Sequence, residues 1–230
     1  MKLIIKNPEP PEWKKHRETD GAKFDAIPPL RKALYDEQGG ICAYCMCRLL
    51  DEHYQEHGLV SNAAYVGNPE NPERITNKVE HVECRNDKNL FDYTNLVMCC
   101  SGVAYNESYI KSLHCDTAKG DQEILFTPTD AAFIDTISYN SEGEIISSND
   151  KFQVKFNTVL KLNDPMLEEN RSRVYKAVTE KVKGKKWTES KMRKFLTFLE
   201  SRDENNLFQP YCGVAISFVK RKMIANGIKI

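Results

Sequence analysis

The cysteines constrain this chain more than any other feature of its sequence. Its eight cysteines include a Cys-Ala-Tyr-Cys pair at Cys42 and Cys45, the adjacent Cys99 and Cys100, and Cys115. In a chain without a recognisable signal peptide, close cysteine pairs bind metal more often than they form disulfides. A redox site is the alternative for Cys-x-x-Cys, but no strand–helix–strand pattern surrounds this pair. We therefore predict a structural zinc site of four thiolates rather than eight unrelated free thiols.

Composition limits the class of protein without deciding its function. The 230 residues are 40% hydrophobic and 29% charged, which is typical of a globular chain, and the net charge is zero. No apolar run is long enough to span a membrane, so we expect no membrane association and a cytoplasmic location. Residues 171–194 hold ten Lys or Arg against two acids, whereas residues 50–92 hold nine acids against four bases. The basic run is either part of a nucleic-acid path or a solvated helical face.

Three short motifs predict a strand, a loop, a second strand and a helix between residues 78 and 120. Lys-Val-Glu-His ends the first strand at Glu80 and His81, and Tyr-Thr-Asn-Leu-Val-Met-Cys-Cys carries Asn95 on the second. His-Cys-Asp-Thr-Ala-Lys-Gly opens a helix near Asp116. In this order His81 can act as a general base on water, and Asn95 can hold the loop through its amide. The alternatives are a structural histidine and solvated carboxylates.

The carboxylates and cations of the same stretch suit a phosphodiester substrate. Glu80 and Asp116 offer oxygen ligands for a catalytic Mg²⁺ or Mn²⁺, which would stabilise charge on the scissile phosphate. Arg85 or Lys119 could contact that phosphate, and the alternative is that either is merely exposed to solvent. We predict a metal-dependent nuclease.

Taken together, Cys-Ala-Tyr-Cys, Val-Glu-His, Tyr-x-Asn-Leu-Val-x-x-Cys and His-Cys-Asp-x-x-Lys-Gly resemble the HNH endonuclease superfamily. More narrowly, the chain is similar to the PtuB subfamily, the HNH nuclease subunits of Septu and retron-type anti-phage defence systems. The resemblance spans roughly residues 28–120 and implies a ββα-metal core stapled by a four-cysteine zinc site. The zinc ligands that it implies are Cys42, Cys45, Cys100 and Cys115. Strand alternation favours Cys100 over Cys99, because Cys99 would share a face with Asn95.

The resemblance also implies roles and partners. His81 matches the catalytic histidine, Asn95 the central asparagine and Asp116 the third, metal-side position. Two departures are an Asp at that third position and the fourteen residues between Cys100 and Cys115, a loop that either gates substrate or only packs. The implied protein is a toxic endonuclease acting on DNA or tRNA, restrained by a PtuA-like ATPase, with a retron reverse transcriptase and its nucleic acid as further partners. The alternative is a non-catalytic zinc-knuckle nucleic-acid-binding or interaction subunit.

The rest of the chain completes a predicted α+β fold in three regions. Residues 1–27 read as an extended, Pro-rich arm that packs on its own domain or docks on another chain. Residues 28–127 form the nuclease core, entered by a helix from Pro28 to Gly39, with 49–77 as an acidic loop bearing surface His53 and His57. Residues 128–230 hold a hairpin around 133–147, then helices capped by Asp164 and Thr188 and a last helix from about residue 211 to 223.

Overall fold

The computed structural model describes residues 1–50, 52–55, 58–61, 64–106, 108, 110–184 and 187–230, and between residues 52 and 66 the backbone alone. The fold is mixed α+β. Its helices are α1 Pro11–Arg17, α2 Pro28–Glu37, α3 Cys115–Lys119, α4 Ala131–Asp135, α5 Asp150–Thr158, α6 Pro165–Val182, α7 Glu189–Glu200 and α8 Cys212–Ala225. Its strands are β1 Glu52–Gln55, β2 Gly58–Ser61, β3 Ala64–Val66, β4 Glu73–Ile75, β5 Lys78–His81, β6 Leu96–Cys99, β7 Val103–Tyr105, β8 Lys111–Leu113, β9 Ile137–Tyr139 and β10 Ile145–Ser147. They pair consecutively into two-stranded antiparallel sheets.

Helix α2 and strand β6 build the part of the core that carries the candidate site. Leu30 and Leu34 of α2 are fully buried, as is β6 along its whole length. The chain leaves the helix through Gly39 and Gly40, whose φ angles of +58° and +66° favour glycine. A Cβ on Gly40 would also lie 2.7 Å from the Leu207 side chain, so only glycine leaves room for Leu207 at this turn. The Cys-x-x-Cys segment follows directly against β6.

Strands β5 and β6 are antiparallel, with His81 opposite Leu96, and α3 begins at Cys115 as the sequence predicts. The sequence places Asn95 on the second strand, but this residue ends a 3₁₀ turn, Tyr93–Asn95, just before β6. The reason is local, because Asp92 accepts a hydrogen bond from the Thr94 backbone N–H and so holds a turn. The insertion between Cys100 and Cys115 is not a loop, since it contains the β7–β8 hairpin.

The first 27 residues do not form an extended arm throughout. Pro11 begins helix α1, because the missing N–H of proline costs nothing at a first helical position. Met1, Ile4 and Trp13 are buried in the core. The Ile4 N–H donates to the Pro128 carbonyl over 3.0 Å, so the segment packs on its own chain. Of the two options that the sequence leaves open, the structure shows this one.

The C-terminal region is mainly helical, as expected, with one difference in its hairpin. Strands β9 and β10 are present, but α4 occupies residues 131–135, where Asp130 caps it by accepting from the Ala132 N–H. The predicted N-caps of α6 and α7 are confirmed, since Asp164 and Thr188 each accept a backbone N–H. Within the described ranges, no helix is both long and apolar enough to cross a membrane.

The prediction of a loop for the acidic segment 49–77 is wrong. The segment contains the β1–β2 and β3–β4 hairpins. The two histidines predicted for its surface, His53 and His57, have side chains that lie outside the described part of the chain.

Candidate functional site

Four buried thiols form a site that could hold a metal ion such as zinc. The Sγ atoms of Cys42, Cys45, Cys100 and Cys115 all lie within 4.8 Å of one another. The Cys42–Cys115 and Cys45–Cys100 distances between sulfurs are 3.9 and 3.8 Å. Thiolates at about 2.3 Å from a tetrahedral zinc would be about 3.8 Å apart, so the geometry fits that ion. The choice of Cys100 over Cys99 for this cluster is confirmed.

Backbone turns and hydrogen bonds position the cysteines of the cluster. Met46 has a left-handed φ of +64°, and its N–H donates to the Cys42 carbonyl, which closes the turn between the first two ligands. Cys115 also has a left-handed φ, and its N–H donates to the Leu160 carbonyl over 2.8 Å. The fourth ligand is therefore anchored from the C-terminal region.

The four thiols of the cluster differ in the direction in which their pKa values are shifted. The thiols of Cys100 and Cys115 hold the pKa of Cys45 well below its usual range, whereas burial raises the pKa of Cys115 well above it. A bound cation would allow all four groups to be thiolates. The buried His114, which sequence reasoning missed, lies with Nδ1 3.1 Å from the Cys115 sulfur and can donate to it. Its only sequence signal was its position directly before a ligand.

A hydrogen bond to the backbone fixes the tautomer of His81. His81 is the last residue of β5, and its Nε2 lies 2.8 Å from the Leu90 carbonyl oxygen. A carbonyl can only accept, so Nε2 carries the proton and Nδ1 keeps its lone pair. Burial lowers the pKa of His81, against the opposing effect of the Leu90 carbonyl. The imidazole is therefore neutral near pH 7 and able to take a proton.

Asn95 spans the loop that follows His81. Its Oδ1 accepts from the Glu83 N–H over 2.8 Å, and its Nδ2 donates to the Glu83 carbonyl over 3.1 Å. Its own carbonyl accepts from the Val82 N–H over 2.9 Å. These three bonds fasten the residues just after His81 to the start of β6, which is the arrangement expected for a loop-holding asparagine.

Glu80 and Asp116 bring two carboxylates together beside His81. Glu80 is buried, and its Oε1 accepts from the Lys119 ammonium at 2.7 Å and from the Tyr44 hydroxyl at 3.2 Å. Burial, followed by the neighbouring Asp116, raises the pKa of Glu80 to about 8, although Lys119 opposes this shift. Glu80 and Asp116 line the same cleft, and carboxylates are ligands that Mg²⁺ uses, usually one or two of them with several waters.

Lys119, one of the two possible phosphate contacts, is buried rather than exposed to solvent. Its side chain is 2% exposed, because the ammonium is used by Glu80 and by the His81 carbonyl at 3.0 Å. Arg85, the other predicted contact, is exposed and lines the same cleft as His81. Within the described part of the chain Arg85 makes no hydrogen bond or ion pair, so it is available to a ligand.

The cleft has a volume of about 510 Å³. Its lining comprises Phe24, Lys78, Val79, Glu80, His81, Cys84, Arg85, Asp116, Thr117, Lys119, Gly120 and Asp121. The sequence predicted most of its charged members but not Phe24, whose ring centroid lies 4.7 Å from that of His81. No periodic or motif signal connects Phe24 to this stretch.

The basic run at 171–194 is only partly free to meet nucleic acid. Arg171 is buried and donates to the Gly143 and Leu162 carbonyls, so it serves the fold. Arg173 and Arg193 pair with Glu169 and Glu189 on their own helices. Lys185 and Lys186, which the same prediction used, lie outside the described residues.

No protein-family model matches this chain, and the comparison with curated proteins likewise found no match.

Proposed function

We propose that this chain is a metal-dependent endonuclease of the HNH type that hydrolyses phosphodiester bonds of DNA or tRNA. One observation carries the proposal. A neutral imidazole of fixed tautomer, His81, shares a cleft with a carboxylate pair, Glu80 and Asp116, and with the exposed cation Arg85. The β5–β6–α3 arrangement beside the thiol cluster supports the same assignment.

The residues divide the chemistry between them. His81 Nδ1 removes the proton from the attacking water, and Asn95 keeps His81 in place by fastening the loop behind it. Arg85 contacts the phosphate. A divalent ion held by Glu80 and Asp116 would supply charge stabilisation at the phosphate when bound. Zinc at the four cysteines holds the scaffold and takes no part in the reaction.

The biological setting is proposed from the resemblance of the motifs. In that setting the chain is the toxic effector of an anti-phage defence system and is restrained by a PtuA-like ATPase. Within the Pro-rich segment 1–27, Met1, Ile4 and Trp13 are packed in the core of this chain, so they are not accessible to the ATPase.

One observation favours a second candidate, a non-catalytic nucleic-acid-binding or interaction subunit. Glu80 already has a cationic partner in Lys119, at 2.7 Å, so its carboxylate does not need a metal ion to balance its charge. Such a subunit would bind nucleic acid with the cysteines intact and would leave it uncut.

The test compares purified wild-type protein with His81→Ala on plasmid, single-stranded DNA and total tRNA, with Mg²⁺ or Mn²⁺. Loss of a general base should slow cleavage by about a hundredfold to ten-thousandfold. His16→Ala is the matched control, because it removes an imidazole that stacks on Trp13 and does not line the cleft. Full activity in His81→Ala would end the proposal. Binding of nucleic acid by the wild type without any cleavage would favour the second candidate.

A further inference from the structure

Phe24 places an apolar surface in a cleft whose other lining is mostly charged. It is the one phenyl ring among the described residues that line the cleft, beside the carboxylates and cations that surround His81. The ring is half-buried, so part of it remains open to solvent. A half-buried aromatic ring that borders charged groups offers a flat apolar surface on which a planar ligand group can stack.

The ring also packs against two other aromatic residues. Trp13, which is fully buried, meets it edge-on with ring centroids 5.7 Å apart, and Phe91 lies at 6.2 Å. The Trp13 indole N–H donates to the Phe91 carbonyl over 3.2 Å, which locks these two supports together. A ring fixed in this way loses little conformational freedom when a ligand stacks on it.

We infer that Phe24 is the stacking platform for an unpaired nucleobase next to the scissile phosphate. The substrate is then a single-stranded or looped nucleic acid rather than an intact duplex. Proteins that bind single strands combine aromatic rings, on which bases stack, with cations that follow the backbone. Phe24 supplies the ring, while Arg85 and Lys78 supply the cations in the same cleft.

The dimensions of the cleft agree with a single unpaired nucleotide. Its volume of about 510 Å³ falls within the range of roughly 300–1,000 Å³ typical of small-ligand sites. In a duplex, both faces of each base are already covered by neighbouring bases. A base must therefore be unpaired, or be extruded at an energetic cost, before it can reach Phe24.

This inference rests on the proposed nuclease function, and the experiment separates the two. Wild-type cleavage sites are first mapped on end-labelled DNA and RNA strands of one sequence, alone and annealed to their complement. Each nucleotide that flanks a mapped site is then replaced by an abasic one. Single strands should be cleaved at least about tenfold faster than the duplex. One abasic position should lower kcat/KM by about fivefold to one-hundredfold, the range for loss of a stacked base.

Variants of Phe24 complete a cycle with the abasic substrate. Phe24→Leu keeps an apolar side chain next to His81 but has no aromatic face. On the intact strand it should lower kcat/KM by the same factor as the abasic substitution does in the wild type. On the abasic strand it should lower kcat/KM no further. Phe24→Tyr keeps the ring and should retain the abasic penalty. Phe198→Leu, which changes a phenyl ring 62% exposed on α7, is the control and should behave as the wild type.

The outcomes that would overturn the inference are specific. Stacking would be excluded if the duplex were cleaved as fast as the single strand, or if every abasic strand were cleaved at the rate of the intact one. It would also be excluded if Phe24→Leu lowered kcat/KM on the abasic strand by the same factor as on the intact strand. If the wild type cleaves nothing, the proposed function fails instead. Binding of the same strands, measured by fluorescence anisotropy, then tests whether a base stacks on Phe24. Equal affinities for the intact and abasic strands would exclude such stacking.

Discussion

Lys119 brings a positive charge into one of the most buried parts of the candidate active site. Its side chain is 2% exposed and lies 2.7 Å from Glu80, whose side chain is 7% exposed. Removing one partner of a buried ion pair leaves the other charge without compensation. We expect Lys119→Met to lower the free energy of unfolding by about 3–5 kcal/mol. The measurement is urea denaturation at pH 9, where Glu80, whose pKa is raised to about 8, is ionised.

Lys78→Met is the matched control for this prediction. Lys78 lies 3.6 Å from Asp116, but its side chain is 40% exposed, so its loss should cost less than about 1 kcal/mol. Adding Glu80→Gln to Lys119→Met removes the uncompensated charge and should recover part of the stability. Equal losses for Lys78→Met and Lys119→Met would show that the buried pair does not stabilise the fold.

Some of these residues could be predicted from the sequence, and the reason is the range over which their signals act. His81, Asn95 and the cluster cysteines lie in short motifs whose spacing is visible along the chain. The burial of Lys119 depends on a partner in another element, Glu80 of β5. Phe24 reaches the cleft only because the N-terminal segment folds back beside His81. Contacts of this kind have no local signature.

At the scale of elements, the loop between β5 and β6 depends on Asn95. Its side chain makes two hydrogen bonds with the Glu83 backbone, and the residue is buried. Asn95→Ala leaves the Glu83 N–H and carbonyl without these partners and should destabilise the protein by about 1–3 kcal/mol. Cleavage should fall less than in His81→Ala, because no reacting group is lost. A cleavage time course with melting curves on both variants tests this ordering, which greater loss in Asn95→Ala would contradict.

The end of β6 offers an adjacent pair of cysteines with different roles. Cys99 closes the strand, whereas the sulfur of Cys100 belongs to the four-thiol cluster. We expect one zinc per chain in the wild type and in Cys99→Ala. Cys100→Ala should lose the zinc and unfold at a lower temperature, because structural zinc contributes about 10 kcal/mol or more to folding. Elemental analysis of both variants decides, and zinc retained in Cys100→Ala would remove this residue from the site.

The observed ends of the elements match those predicted from the sequence where a capping residue is the main local signal. They differ where a capping residue competes with a pattern that favours a strand. Asp164 and Thr188 predicted the starts of α6 and α7 because their side chains accept backbone N–H groups. Asp92 and Asp130 do the same at Tyr93–Asn95 and at α4, but apolar residues nearby suggested strands instead. The caps prevailed in both places, so the strands begin later than predicted.

At the scale of the whole molecule, the four-thiol cluster connects distant parts of the chain. The Tyr211 N–H, just before α8, donates to the Met46 carbonyl over 3.0 Å, and the Cys115 N–H donates to Leu160. A Cβ on Gly213 would lie 2.5 Å from the Met1 carbonyl, which shows how closely the first residue and α8 approach. Sequence patterns could not reveal this arrangement, because each contact joins segments that are far apart along the chain.

The N-terminal segment contains a pair of neighbouring residues that tests its role in this core. Ile4 is 6% exposed and its N–H donates to Pro128, whereas Ile5 is 68% exposed. Truncating a buried isoleucine removes apolar contacts and leaves a cavity, so Ile4→Ala should lower the free energy of unfolding by about 2–5 kcal/mol. Ile5→Ala should change it by less than about 0.5 kcal/mol, because its side chain already meets solvent. Urea denaturation of both variants compares them directly. A small, equal effect would mean that the segment is separable from the core and free to bind a partner.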